Sequence, residues 1–240
     1  MPIARLTVLA PLVFLVAACA DASGPAPVGS VGTATQAAAG GERWAVLFNG
    51  EDASAWRTFG EDALRPQWQV VDGALTLTEA GGGDITTGVP YDDFELEVEW
   101  RVEPGGNSGI FYGVDADETV AAWKSGIEYQ LLDDALHDNG EDPATSAGAV
   151  FGLYPAPRGA VSPGGEWNTS RLTVRGDEVV QELNGVETAR FEVGSTDFRE
   201  RVAASKFAKH DGFGRSAQGL VVLQDHKDEV AFRSVRIRPL

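Results

Sequence analysis

The chain of 240 residues has one cysteine, few basic residues and no long stretch with a helical apolar period. One cysteine cannot form an intramolecular disulfide, and the absence of Cys/His ligand spacing excludes a structural zinc site. Lys and Arg number 19 against 36 Asp and Glu, which gives a formal net charge of −17. Such a field would repel a phosphate backbone, so nucleic acid is excluded as a partner.

Turn-forming residues are abundant, with 29 Gly and 12 Pro, and this favours strands over helices. The clearest strand is FELEVEWRVE at 94–103, where apolar residues alternate with Glu and Arg. Similar short runs lie at 45–48, 68–71, 74–78, 109–114, 127–132, 149–153, 171–175, 179–183, 188–193, 220–224 and 230–238. About a dozen strands without an internal repeat predict an all-β jelly-roll sandwich of two antiparallel sheets.

Three local features refine this prediction. Asn184-Gly185 tolerates positive φ angles and predicts a two-residue hairpin turn. The apolar spacing changes from two to three residues between Phe232 and Val235, which predicts a β-bulge. Helix is expected only at 118–123.

The N-terminal segment has the pattern of an export signal. An apolar stretch at 6–18 follows Arg5 and ends in LVAAC, which resembles the bacterial lipobox with Cys19 as the lipidated residue. An ordinary secretory peptide, with Cys19 incidental, is the alternative. Residues 20–41 are mostly Ala, Gly, Ser, Thr and Pro and predict a disordered linker, so the folded domain is expected at 42–240. We therefore expect a lipid-anchored protein of the bacterial envelope, in the outer membrane or periplasm.

Two polar residues share one face of the strand predicted at 127–132. Glu128 and Gln130 alternate with Ile127, Tyr129 and Leu131, whose apolar face belongs in the core. A carboxylate beside an amide could hold a hydroxylated ligand. A solvent-facing polar pair is the alternative.

A second apolar run, GLVVLQDH at 219–226, also ends in polar residues. Because it is apolar on both faces, it predicts a central strand. Gln224 and His226 follow Leu220 and Val222 on one face. Imidazole titrates near neutrality and is the usual general acid or base, whereas a purely structural histidine is the alternative.

Other polar and aromatic residues are flanked by turn formers and could contact a sugar, although for Trp a core position is the alternative. They are Trp123, Lys124, Trp167 and Asn168. His137 lies in a polar loop and His210 in a Gly-flanked one, and for both an exposed position without a direct role is the alternative. Glu95, Glu97 and Glu99 could form the carboxylate pair of a retaining glycosidase, or simply a solvated sheet face. No cofactor is indicated, but the acidic clusters 115–118 and 133–134 leave calcium or another divalent ion open.

Several stretches, in consistent order from about residue 44 to 240, resemble the 3-keto-disaccharide hydrolase domain family. They are LFNGEDASAWR at 47–57, NSGIFY at 107–112, KSGIEYQLLDDALH at 124–137, SAGAVFGLYPAP at 146–157, GEWNTSRLTVRGDEVVQELNG at 165–185 and SKFAKHDGFGRSAQGLVVLQDHKDEVAFRSVRIRPL at 205–240. The resemblance implies a concanavalin A-like jelly roll that acts on glycosides oxidised at C3. A non-catalytic carbohydrate-binding module and a conventional retaining glycosidase are the alternatives.

The resemblance also implies an elimination followed by addition of water, which needs one base, an enolate donor and an acid. We expect His226 or Glu128 to be the base and Gln130 and Gln224 to orient the sugar. Asp133 is expected as a supporting acid or orienting group, provided that the strand has ended before it, since strand alternation otherwise puts it opposite Glu128. The expected substrate-binding residues are Lys124, His137, Trp167 and Asn168.

Overall fold

The structure is a computed structural model that describes residues 43–117, 119 and 121–240. The predicted signal peptide, Cys19 and the linker at 20–41 lie outside the described residues, as do Glu118 and Val120 of the expected helix. In the part of the chain that is described, no helix is long and apolar enough to cross a membrane.

The described residues form two antiparallel sheets, which confirms the predicted all-β sandwich. The strands are β1 (Ala45–Phe48), β2 (Arg57–Thr58), β3 (Trp68–Val71), β4 (Ala74–Leu77), β5 (Ile85–Tyr91), β6 (Phe94–Val102), β7 (Asn107–Val114), β8 (Ile127–Leu132), β9 (Asn168–Arg175), β10 (Glu178–Leu183), β11 (Val186–Glu192), β12 (Gly219–Leu223) and β13 (Val230–Pro239). The eight-stranded sheet has the order β11-β10-β9-β6-β13-β4-β3, with β1 paired to β13. The five-stranded sheet has the order β2-β5-β12-β7-β8.

The core lies between the two sheets and is built from alternate residues of their strands. Leu96, Val98 and Trp100 of β6 are buried in the same cluster as Ile110 and Tyr112 of β7. The intervening glutamates of β6 face outward, as the alternation predicts. In both sheets, the side chains between the core residues therefore form the outer face.

Both predicted irregularities are confirmed. Asn184 and Gly185 have φ angles of 51° and 81° and join β10 to β11. The register of β13 against β6 shifts between Phe232 and Ser234. Each feature follows from a local sequence signal.

Other predictions are wrong because longer-range contacts decide the structure. Strands β2 and β5 were not expected, and 149–153 is not a strand but a loop in which Val150 bridges Tyr129 and Tyr154. An α-helix, α1 (Thr196–Ala204), forms where none was expected. Ser195 caps it by accepting a hydrogen bond from the Phe198 amide at 3.1 Å. Short 3₁₀ helices lie at Ala122–Lys124, Asp138–Glu141 and Lys206–Lys209.

A loop is tied to the outer edge of β8 by main-chain hydrogen bonds. The Gln130 amide donates to the Ala149 carbonyl at 3.1 Å, and the Gly148 amide donates to the Gln130 carbonyl at 2.9 Å. The Phe151 amide donates to the Glu128 carbonyl at 3.0 Å. This pairing fixes the backbone of the strand that carries Glu128 and Gln130.

Candidate active site

A cavity of about 400 Å³ lies on the outer face of the five-stranded sheet, across β7, β8 and β12. Ile127, Tyr129 and Leu131 point into the core, so Glu128 and Gln130 point the opposite way, into the cavity. The lining residues are Asp84, Asn107, Ala121, Trp123, Glu128, Gln130, Asn139, Phe151, Lys206, Phe207, Gln224, Asp225 and His226. The structure therefore brings together four of the residues predicted from the two strand patterns, namely Glu128, Gln130, Gln224 and His226.

Glu128 is a buried carboxyl group in this cavity. Glu128 is 8% exposed, and burial raises the pKa of its carboxyl from an ordinary 4.5 to about 7. The positive charge of Lys206 opposes this effect, and the negative charge of Asp84 adds to it. Near neutral pH both the protonated and the ionised form of this carboxyl are therefore populated.

Gly109 leaves room for the acidic group. It lies on β7 opposite Gln130 of β8, and its carbonyl accepts a hydrogen bond from the main-chain N–H of Gln224 at 2.9 Å. A Cβ atom at this position would lie 2.9 Å from Glu128 Oε1 and 3.2 Å from Gln224 Oε1. The space above Gly109 is thus where two side-chain oxygens from different strands converge.

The two glutamines each present a carbonyl oxygen without a protein partner. Gln130 is fully buried, and its Nε2 donates to Asn107 Oδ1 at 3.3 Å. Gln130 Oε1 and Gln224 Oε1 are buried and accept no hydrogen bond from the described residues. Buried acceptors of this kind cost free energy when they are left unsatisfied, so they are suited to receive ligand hydroxyl groups.

A second carboxyl group enters the cavity from the start of β5. Asp84 Oδ1 accepts a hydrogen bond from the Asp225 amide at 3.0 Å. Burial raises the pKa of the Asp84 carboxyl to about 6. The Asp225 carboxylate accepts the amides of Gly81 and Gly83 at 3.1 and 2.8 Å, which fixes the turn before β5.

His226 lies just after β12 and is exposed at the cavity. Partial burial lowers the pKa of its imidazole below 6.5; the charge of Asp228 opposes this effect, and His137 and Lys227 add to it. His137 itself does not line the cavity, but its Nδ1 accepts the Asn139 amide at 3.0 Å and thereby positions a lining residue. The His226 imidazole is thus predominantly neutral at neutral pH.

An aromatic side chain forms part of the cavity wall. Trp123 is 38% exposed and its ring meets that of His210 edge-on, with centroids 4.8 Å apart. Lys124 does not line the cavity, and its Nζ lies 5.8 Å from the centroid of the Trp123 ring. Trp123, rather than Lys124, is therefore placed to stack on a sugar.

Besides His137 and Lys124, three further predicted site residues lie outside the cavity, namely Asp133, Trp167 and Asn168. Asp133 follows the end of β8 and accepts the amides of Gly105 and Ala135 at 2.8 and 3.2 Å, so it holds loops together. Trp167 packs against Arg101 and Arg233 of the eight-stranded sheet. Neither Asp133 nor Trp167 lines the cavity.

Asn168, also predicted to bind substrate, is the first residue of β9 in the eight-stranded sheet and is buried. Its Oδ1 accepts the Ser162 amide at 2.8 Å and Asn184 Nδ2 at 2.7 Å. It therefore joins two loops rather than facing the cavity.

The acidic face of β6 is also occupied by structural contacts. Glu97 receives hydrogen bonds from Arg171 Nη2 at 3.0 Å and Arg236 Nε at 2.9 Å, and Glu95 receives one from Arg238 Nε at 3.0 Å. These groups do not line the cavity. Within residues 43–117, 119 and 121–240, no group of three or more His, Cys, Asp or Glu could hold a metal ion.

Sequence reasoning missed Asp84 and Lys206. The β-branched run Ile85-Thr86-Thr87 directly after Asp84 does indicate a strand, which begins after the turn at Gly81-Gly82-Gly83. Lys206 carries no local signal, since its position depends on how the 3₁₀ helix packs. Both residues extend the cavity beyond the strands that were predicted to carry the site.

Comparisons with known proteins identify the family. Residues 43–238 match the 3-keto-alpha-glucoside-1,2-lyase-like domain. The chain is 30% identical over 226 residues to the 3-keto-disaccharide hydrolase of Bacteroides thetaiotaomicron, covering 81% of this chain and 77% of that protein. A crystal structure of a Parabacteroides distasonis protein assigned as a glycosyl hydrolase is 31% identical, with a TM-score of 0.75 over 82% of this chain and 94% of the other.

A family GH16 endo-beta-1,3(4)-glucanase shares the fold alone, at 14% identity and a TM-score of 0.51 over 82% of this chain and 95% of its own. The likeness confirms the concanavalin A-like jelly roll. The match over residues 43–238 and the 30% identity to the Bacteroides thetaiotaomicron enzyme go further than fold. The chain belongs to the 3-keto-alpha-glucoside-1,2-lyase-like domain family.

Proposed function

We propose that this protein cleaves glycosides whose sugar ring is oxidised at C3, by elimination followed by addition of water. Similarity to a 3-keto-disaccharide hydrolase supports glycoside hydrolysis as the broader activity. The observation that carries the proposal is the buried Glu128 carboxyl, whose pKa is raised to about 7 within the cavity. Such a group is a stronger base than an exposed glutamate and is still ionised in part at neutral pH.

The proposed reaction begins with loss of a proton. A ketone at C3 acidifies the hydrogen at C2, and the Glu128 carboxylate removes it to give an enolate. Return of the enolate electrons forms a double bond between C1 and C2 and expels the C1 oxygen, which takes up a proton. Water then adds across that double bond, so the net products are the free ketosugar and the alcohol.

Glu128 is a better candidate for the base than His226. Glu128 is 8% exposed and lies on a strand whose backbone is fixed by the loop at 146–151. His226 is exposed at the cavity, where a neutral imidazole can pass a proton to the leaving oxygen or to water. Asp84, with a pKa of about 6, is the second group for that proton.

The amides supply orientation. Gln130 Oε1 and Gln224 Oε1 have no partner among the described residues, and sugar hydroxyl groups would satisfy both. Trp123 offers a ring face to the apolar side of a pyranose. Together these groups hold the ring so that C2 faces Glu128.

The test compares matched substrates that differ only at C3. The purified protein is incubated with methyl 3-keto-glucoside and with methyl glucoside, and released methanol is measured. We expect cleavage of the oxidised compound alone, loss of cleavage in Glu128→Gln, and full activity in Trp167→Ala. Equal cleavage of both compounds would point to a conventional glycosidase, and binding without cleavage would point to a carbohydrate-binding module.

A further inference from the structure

Lys206 is the one ammonium group among the described residues that line the cavity. Its Nζ lies 4.1 Å from the ring centroid of Phe151 and 5.1 Å from that of Phe207. It forms no ion pair with a carboxylate in the described part of the chain. The charges of Lys206 and Glu128 interact, and both residues line the cavity, so an ammonium and a buried carboxyl group face the same space.

The fold fixes the base of this side chain. Lys206 begins the 3₁₀ helix Lys206–Lys209, which Ser205 caps by accepting the Phe207 amide at 3.1 Å. The Phe207 ring is buried and stacks on Phe213, with centroids 4.1 Å apart. The backbone of Lys206 is therefore held in place, and its ammonium lies over the rings of Phe151 and Phe207.

The net effect of its surroundings is to lower the pKa of the Lys206 ammonium from its ordinary 10.5, and burial is the largest cause. Burial lowers the pKa of the ammonium, as does the charge of Lys209, whereas the negative charge of Glu128 raises it. Ring faces attract an ammonium but gain nothing comparable from a neutral amine. The contacts with the Phe151 and Phe207 rings therefore favour the cation over the neutral, nucleophilic amine.

We propose that the Lys206 ammonium binds the C3 ketone oxygen and stabilises the enolate, which makes the site selective for oxidised sugars. This inference rests on the proposed function. When Glu128 takes the C2 proton, the C–H electron pair becomes the C2–C3 double bond and the carbonyl pair moves onto oxygen. Lys206 keeps its three protons and forms no covalent bond, so it supplies charge and hydrogen bonds alone.

The selectivity follows from where charge develops. A ketone oxygen gains a full negative charge in the enolate, and a donor aimed at it is worth more in that state than in the bound substrate. A C3 hydroxyl cannot gain that charge. The parent glycoside therefore obtains no acceleration from Lys206, even if it fits the cavity.

The experiment separates enolate formation from bond cleavage. Exchange of the C2 hydrogen is followed by NMR in D₂O on 3-keto-1,5-anhydroglucitol, which has no leaving group at C1. Lys206→Met is expected to slow this exchange, and kcat for cleavage of methyl 3-keto-glucoside, by about 10²–10³-fold. Lys206→Arg should recover part of both rates because it retains the charge. Lys209→Met is the matched control on the same 3₁₀ helix, and circular dichroism checks that each variant is folded.

Two results would refute the role of Lys206 while leaving the proposed function intact. One is wild-type exchange and cleavage in a folded Lys206→Met variant. The other is a sugar adduct on Lys206, trapped by borohydride and located by mass spectrometry, which would make the lysine a covalent nucleophile. Failure of the wild-type protein to exchange or cleave any 3-ketosugar would instead refute the proposed function, and the role of Lys206 with it.

Discussion

Replacing Glu128 by Gln should abolish activity and, at the same time, stabilise the protein at alkaline pH. The substitution keeps the size of the side chain and removes the charge that burial penalises. Burial raises the pKa of the carboxyl from 4.5 to about 7. The native protein therefore holds a proton at pH values where the unfolded chain has already released it.

The size of this effect follows from the two pKa values. An acid with a higher pKa in the folded state contributes no penalty below pH 4.5, and its penalty grows as pH rises until the folded pKa near 7 is passed. That interval of about 2.5 pH units, at about 1.36 kcal/mol each, corresponds to about 3 kcal/mol. Glu128→Gln lacks the titration, so its stability relative to wild type should increase by roughly this amount between pH 4.5 and pH 8.

The assay is urea unfolding of both proteins at several pH values, with the free energy of unfolding compared at each one. Taking the difference between the two proteins cancels the titration of all other groups. Glu79→Gln, on the surface, controls for the substitution itself. A difference between Glu128→Gln and wild type that stays constant with pH would show that Glu128 is not a buried, proton-retaining carboxyl, and the choice of base would fail with it.

Three further predictions concern the same site and its supports. Gly109→Ala would put a Cβ 2.9 Å from Glu128 Oε1 and should lower kcat/KM about 10²-fold in a folded protein; wild-type kinetics would contradict the cavity geometry. Because the base must be ionised, kcat/KM should rise with pH through about 7, and a profile flat from pH 5 to 8 would exclude Glu128. Asp133→Ala removes the acceptor of the Gly105 amide, so the free energy of unfolding should fall by about 1–3 kcal/mol while the folded protein stays active. An inactive but equally stable variant would return Asp133 to the catalytic set.

The sequence was sufficient to place the side chains that lie on regular strands. The period of two fixes which residues share a face, so Glu128 was separated from Ile127 and Tyr129 without knowledge of any partner strand. The same argument put Gln224 and His226 on one face. Strands β8 and β12 form one site because both pair with β7. This pairing is a long-range contact that no local sequence pattern specifies.

The differences between the predictions and the structure arise where strands end or are interrupted. Asp133 lies one residue beyond β8, where the chain turns toward Gly105 and the alternation no longer applies. Strand β5 was missed because Gly88 and Pro90 interrupt its apolar pattern, although it pairs with β12 on one side and β2 on the other. Because β5 was not predicted, the position of Asp84 beside the end of β12 could not be predicted either.

The loop at 146–151 also affects how the molecule meets other copies of itself. Strand β8 is the last strand of its sheet, and an open edge of that kind offers main-chain donors and acceptors to any extended chain. Here the main-chain carbonyl of Glu128 and the main-chain amide and carbonyl of Gln130 are already bonded to the loop. A neighbouring molecule therefore cannot use these main-chain groups to continue the sheet beside the Glu128 carboxyl.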